Sequence, residues 1–152
     1  VRVKHRWLLV QIEFTKELSA TSSQLDKCAP DLQAKEIHKE IVKSLNVCFG
    51  LSVHSFLSDI VVRHIDHDSR LCMIRVPRDA ANRVRAAITL LTTLYNEGVV
   101  ASVISVQGCA RTARLATMHE IRRTEVLRHK SISQSHLKLL EARLQTVRDI
   151  DC

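Results

Sequence analysis

VRVKHRWLLVQIEF, residues 1–14, decides how this chain is read. Taken in twos, Leu8, Val10, Ile12 and Phe14 share one parity, and Arg2, Lys4 and Arg6 precede them on it. Alternation of this length predicts a β-strand from about Val3 to Phe14, whose core face opens in cations. A core gains nothing from three leading charges, so they leave the packed layer before Leu8 or serve something outside it.

Working outward, a polar loop ends near Pro30. Asp31 is placed to cap a helix reading Leu32, Ile37, Ile41, Leu45 and Phe49 along one face, which Gly50 stops. DIVVRHI and RLCMIRV then form two strands around the turn Asp66-His67-Asp68-Ser69. Pro77 ends the second, and Asp79 can cap a helix whose face runs Ala80, Val84, Ala87, Ile88, Leu91, Leu94 and Tyr95, ended by Gly98. VVASVISVQ is the fourth strand. The order β-α-β-β-α-β predicts an α+β fold of the ferredoxin-like, RRM-like split βαβ kind, an antiparallel sheet with helices on one face. Beyond it, a basic helix from about Thr112 to Lys130 and a helix from Gln134 extend the chain. Leu137, Leu140, Leu144 and Val147 on the last helix form a narrow apolar seam. The expected organisation is therefore a sandwich over residues 1–110 and a helical extension over 111–152, packed on the same domain or on a partner.

The charge of +7 and a pI near 9.5 favour a polyanionic partner. No apolar run approaches membrane length. Five scattered cysteines without a CxxC pair are neither a disulfide framework nor a zinc knuckle; Cys48 and Cys72 fall at apolar positions and read as core fillers. The sheet's outer face should carry Val3, His5, Trp7 and Leu9, with Leu71, Met73 and Arg75. Reading RNA by stacking needs aromatics there, and only Trp7 qualifies, so the face more readily packs under the extra helices or a partner. HIDHD offers His64 and His67 beside Asp66 and Asp68; a metal site is one reading and a hydrated hairpin loop the other. Among familiar catalytic motifs, GxSxG, the P-loop and HExxH are all missing.

Cations are what the sequence offers. Arg75 and Arg78 bracket the end of the third strand, and Gly108-Cys109-Ala110-Arg111-Thr112 turns into the basic helix. There Arg111, Arg114 and Arg122 share a broad face and Arg123 lies at its edge. Residues 111–130 hold six bases against two acids without regular i,i+4 pairing, which points to phosphate contact over a merely solvated face.

These stretches resemble a family. VRVKHRWLL is similar to the opening of the fifth POP (processing of precursors) subunit of ribonuclease P and ribonuclease MRP: Val1, Arg2, Lys4, Arg6, Trp7, Leu8 and Leu9 stand in its pattern. Ile74-Arg75 with Arg78, the turn Val106, Gly108, Arg111 and Thr112, and Arg122-Arg123 with Leu127 follow in the family's order. Cys109-Ala110 replaces the usual Thr-Ile, and the last helix has no clear counterpart. The resemblance implies a non-catalytic subunit that stabilises the catalytic RNA for 5′-leader removal from precursor tRNA, or for rRNA processing in the MRP branch. It implies RNA contact through Arg2, Lys4, His5, Arg6, Arg75, Arg78, Arg111, Arg114, Arg122 and Arg123. No cofactor is expected on the protein, with Mg²⁺ held by the partner RNA. Other small protein subunits are expected neighbours, precursor tRNA a further contact, and nucleus and nucleolus the compartments. A stand-alone basic RNA-binding module and the sibling small subunit are the alternatives.

Overall fold

The computed structural model describes residues 4–15, 30–50, 54–128 and 134–150. Its elements are β1 (His5–Phe14), α1 (Ala34–Phe49), a short 3-10 turn (Leu57–Asp59), β2 (Val61–Asp66), β3 (Leu71–Pro77), a second 3-10 turn (Arg78–Ala80), α2 (Ala81–Thr89), β4 (Thr93–Leu94), β5 (Glu97–Gln107), α3 (Ala110–Arg128) and α4 (Gln134–Arg148). The sheet runs β2-β3-β1-β5-β4, every neighbouring pair antiparallel. This is the split βαβ, ferredoxin-like α+β fold with additional C-terminal helices.

Alternation decides which side chains enter which layer. Leu8, Val10, Ile12 and Phe14 pack against Ile37, Ile41 and Leu45 of α1 and Val84 and Ile88 of α2. Trp7 and Leu9 point the other way, beside Met73 and Leu71 of β3. Over them lie Ala113 and Ile121 of α3, and Leu144 and Val147 of α4. The outer face is thus covered by the chain's own last helices. That is why Trp7-Leu8-Leu9-Val10 is apolar without a break: a central strand buried on both faces has no solvent side to mark. On α4 the expected seam divides. Leu144 and Val147 are buried and Leu140 packs beside them, but Leu137 remains 44% exposed near the helix start.

Several details depart from expectation. The helix expected to run on to Gly98 ends at Thr89; Thr93–Leu94 then forms β4, and Tyr95-Asn96, with φ of 53° and 60°, makes a two-residue hairpin turn into β5. Gly98 is a strand residue held close to β1, since a Cβ on it would stand 2.4 Å from Thr15 Oγ1. Neither Asp31 nor Asp79 caps a helix: α1 starts after Gln33 and α2 after Ala80, neither with a side-chain cap. Gly50 does close α1, at φ 61°. Cys72 is fully buried, which pushes its thiol up to about 12, but Cys48 is exposed: it shares the helical spacing of Ile41 and Leu45 yet falls in the last turn of α1.

Candidate nucleic-acid interface

Antiparallel pairing on both sides of β1 sets its start beside the ends of β3 and β5. His5 lies opposite Pro77, and Trp7 opposite both Arg75 and Gln107. The Arg78 amide donates to the Lys4 carbonyl at 2.9 Å. A Cβ on Gly108 would stand 3.7 Å from Arg6 Nη1, so the Arg6 guanidinium lies along the turn that leads from β5 into α3. Lys4, His5, Arg6, Arg75, Arg78 and Arg111 therefore gather at one end of the sheet. Lys4, Arg78 and Arg111 are exposed; His5, Arg6 and Arg75 are half-buried. Among the described residues, Arg6 Nη1 donates to the carbonyl of His5 at 3.4 Å, and Arg75 Nε is buried without a hydrogen-bond partner. Asp79 is the acid carried in the same stretch as Arg78.

The start of α3 adds to the positive field. The Cys109 carbonyl accepts from the Ala113 amide at 3.1 Å and from Thr112 Oγ1 at 3.0 Å, so Cys109 occupies the cap position. The amides of the first helical turn then point out of the helix end, next to Arg111. The Cys109 thiol responds to this setting: the Thr112 hydroxyl, followed by the backbone amides, draws it below the ordinary thiol range. Such an end offers forked donors and helix amides to an anion, a geometry suited to phosphate oxygens.

A family model, the Rpp14/Pop5 family, matches residues 6–118. The chain belongs to that family. Over 150 residues it is 23% identical to the probable ribonuclease P/MRP protein subunit POP5 of Arabidopsis thaliana, covering 97% of each protein. Its fold is similar to that of a chain in the cryo-EM structure of yeast ribonuclease MRP, at 12% identity and a TM-score of 0.54, over 98% of this chain and 95% of that one. The opening strand, whose resemblance is the most specific, and the Gly108–Thr112 turn are packed side by side in this Rpp14/Pop5 protein. It is a protein subunit of the ribonuclease P/MRP type.

The remaining candidates divide. Arg114 turns inward and its Nη1 donates to the carbonyls of Arg148 at 3.2 Å and Ile150 at 3.1 Å, closing the C-terminal end of α4. Arg122 and Arg123 are exposed but lie three turns from Arg111, about 16 Å along the axis, and Arg123 pairs with Glu120 at 3.4 Å. They extend the basic surface of α3 and do not join the cluster at the sheet end. Arg2 falls outside the described residues.

The HIDHD turn has a role that sequence reading missed. Asp66 is buried, and its carboxylate accepts from Arg143 Nε at 2.9 Å and Nη2 at 2.6 Å, and from the Ser69 amide at 3.0 Å. Arg143 also donates to Ser69 Oγ at 2.7 Å and to Glu125 of α3. Burial alone would raise the Asp66 carboxyl, but the bonds from Arg143 and Ser69 outweigh it and hold the group below its ordinary 3.8. The carboxylate is thus committed to fastening the β2–β3 turn to both C-terminal helices. Among the described residues, no group of three or more His, Cys, Asp or Glu side chains is arranged to hold a metal. No sequence signal links Asp66 to Arg143, 77 positions away.

Proposed function

We infer that this chain is a non-catalytic subunit that holds the catalytic RNA of ribonuclease P, and of ribonuclease MRP, through the cationic end of its sheet. The observation that carries the reading is the convergence of Lys4, Arg6, Arg75, Arg78 and the Arg111 start of α3 from three separate stretches of chain. Cations that lead a central strand are otherwise a cost: five positive groups drawn together repel one another unless an anion lies among them. The arrangement favours folded RNA over a stacked single strand, because Trp7, the sole tryptophan, is 5% exposed beneath α3. Contact is with phosphate, so it positions the RNA without reading its sequence.

In this reading the chemistry is that of the RNA, with its own Mg²⁺ ions, and the reaction is removal of the 5′ leader from precursor tRNA or, in the MRP branch, processing of rRNA. Other small protein subunits are its neighbours, precursor tRNA passes close to the cationic end, and the protein works in the nucleus and nucleolus. Support for this comes from the curated relative, described as a probable ribonuclease P/MRP subunit. The deciding experiment tags the protein at its native locus, purifies it at moderate salt and sequences the RNA that accompanies it. One or two structured RNAs in stoichiometric amount are expected, and their identity separates the two branches. A smear of unrelated transcripts would return the basic surface to a general RNA-binding module.

A further inference from the structure

We propose that the outward line of α3, Leu115, His119, Arg122 and Val126, is a docking seam for an acidic amphipathic helix of another protein in the complex. α3 turns Ala113, Thr117 and Ile121 toward the sheet, where all three are buried. At about 100° per residue the four seam residues fall on the opposite side, and all are exposed. Leu115 is 55% exposed and Val126 63%. A single exposed leucine is ordinary on any surface. Here two large apolar side chains end one line, on the side of a surface helix that is normally polar throughout.

Spacing and charge describe the occupant. Steps of four, three and four positions keep the line straight along the axis over about 16 Å, the repeat with which one helix packs along another. A partner helix laid there covers Leu115 and Val126 with apolar residues of its own, about eleven positions apart. Between them it meets Arg122, with Arg123 at one flank, and no acid stands on this side of α3. The two acids of the helix are engaged at its flanks: Glu120 lies 3.4 Å from Arg123 and 3.5 Å from His119, and Glu125 accepts from Arg143. Arg122 forms no ion pair among the described residues. The middle of the partner segment therefore carries carboxylates.

A second copy of this chain does not fit. The line is symmetric about its midpoint, so two copies packed antiparallel would set Leu115 against Val126 but also Arg122 against His119, with the arginines of both chains crowded at the centre. Two chains of charge +7 bring nothing to offset that repulsion. Phosphate oxygens suit Arg122 and Arg123, but an RNA backbone leaves Leu115 and Val126 against charge and water. Apolar residues with carboxylates between them satisfy both halves of the seam. The proposal rests on the chain being a subunit of a larger complex, and not on RNA lying at the sheet end.

The test uses the whole complex, purified through a tag at the native locus, with a photo-cross-linking amino acid in place of Leu115 or, separately, of Val126. Mass spectrometry identifies what each position attaches. Both should attach to one segment of one other protein subunit, and that segment should carry acids between two apolar residues about eleven positions apart. Leu115→Ser with Val126→Ser should lower retention of that same subunit at moderate salt about tenfold or more. The accompanying RNA should be kept and the melting temperature of the isolated chain unchanged, because neither side chain packs in the core. Arg122→Glu should lower retention likewise, and changing the facing acid of the partner to arginine should restore it. Attachment to RNA, to a second copy or to nothing overturns the proposal, as does full retention of every subunit by the double serine variant. If no RNA accompanies the wild type, the reading of the sheet end fails while the cross-links still decide the seam.

Discussion

Replacing Arg143 with alanine isolates the fastening between the sheet and the C-terminal helices. Its side chain is 12% exposed and meets two similarly sheltered carboxylates, Asp66 at 7% and Glu125 at 14%. Asp68, also 3.3 Å from Nε, is 55% exposed and adds little. Removing the arginine leaves the buried Asp66 carboxylate without the guanidinium that faces it, a change that typically costs about 3–5 kcal/mol. For a domain of this size that is a fall of roughly 6–20 °C in Tm. The loss must also depend on pH. Asp66 has a folded pKa below 3.8, so its stabilisation is present above that value and is lost as pH falls through the lower folded pKa. In Arg143→Ala the chief cause of the depression is gone, and the buried carboxyl takes up its proton at higher pH. The gap between wild type and variant should therefore be widest near neutrality and shrink steadily toward pH 3. Thermal melts across that range measure it. A Tm loss below 2 °C, or one constant with pH, would mean that the cluster is a solvated contact with no grip on the helices.

Changing Lys4, Arg6 and Arg111 together to alanine should weaken binding of structured RNA and flatten the slope of log K against log[salt] by about 2–3; filter binding from low to high salt reads this, and an unchanged slope removes the sheet end from the interface. Arg114→Ala should leave that slope alone and lower stability by about 1 kcal/mol, since its guanidinium serves the carbonyls at the end of α4. Trp7 emission should resist acrylamide quenching and stay unchanged when RNA is added, because α3 covers the ring; strong quenching by RNA would put bases on the sheet face. Gly98→Ala should cost about 1–3 kcal/mol through the clash with Thr15 Oγ1, and Thr15→Ala in the same chain should recover part of it in chemical denaturation.

The elements that sequence made legible are those whose period matches a single face. β1, the β2–β3 hairpin and α1 declare themselves because each buries one regular stripe, and the face reading of Trp7, Leu9 and Met73 placed an apolar layer where α3 and α4 sit. Residues 90–98 misled for a physical reason. Leu91, Leu94 and Tyr95 recur at helical spacing and pack against the core in either conformation. What ends the helix is tertiary: Gln33 donates its amide to the Tyr95 hydroxyl at 2.8 Å, across 62 positions, while Tyr95 itself holds a positive φ that its residue type does not advertise. Charge was the least legible quantity. Arg114 and Arg111 read alike in a basic run, yet one closes α4 and the other stands exposed, a difference set by where α4 returns across the sheet.

That return path also decides where an anion can bind. In folds of this kind an open sheet face is the obvious platform for RNA, and here α3 and α4 occupy it. With the face closed, accessible cations lie along α3, where Arg122 and Arg123 are exposed, and at the ends of strands, where β1 starts and β3 and β5 finish. The Arg143 cluster secures the helices over the face, and Arg114 secures the end of α4 next to the start of α3. The Arg143 contact lies away from the cationic end and the Arg114 contact one turn from Arg111; together they hold α3 over the sheet with Arg111 at its start. On the proposed reading, the leading cations of the first strand are half of a site whose other half, the start of α3, is held in place by the last helix of the chain.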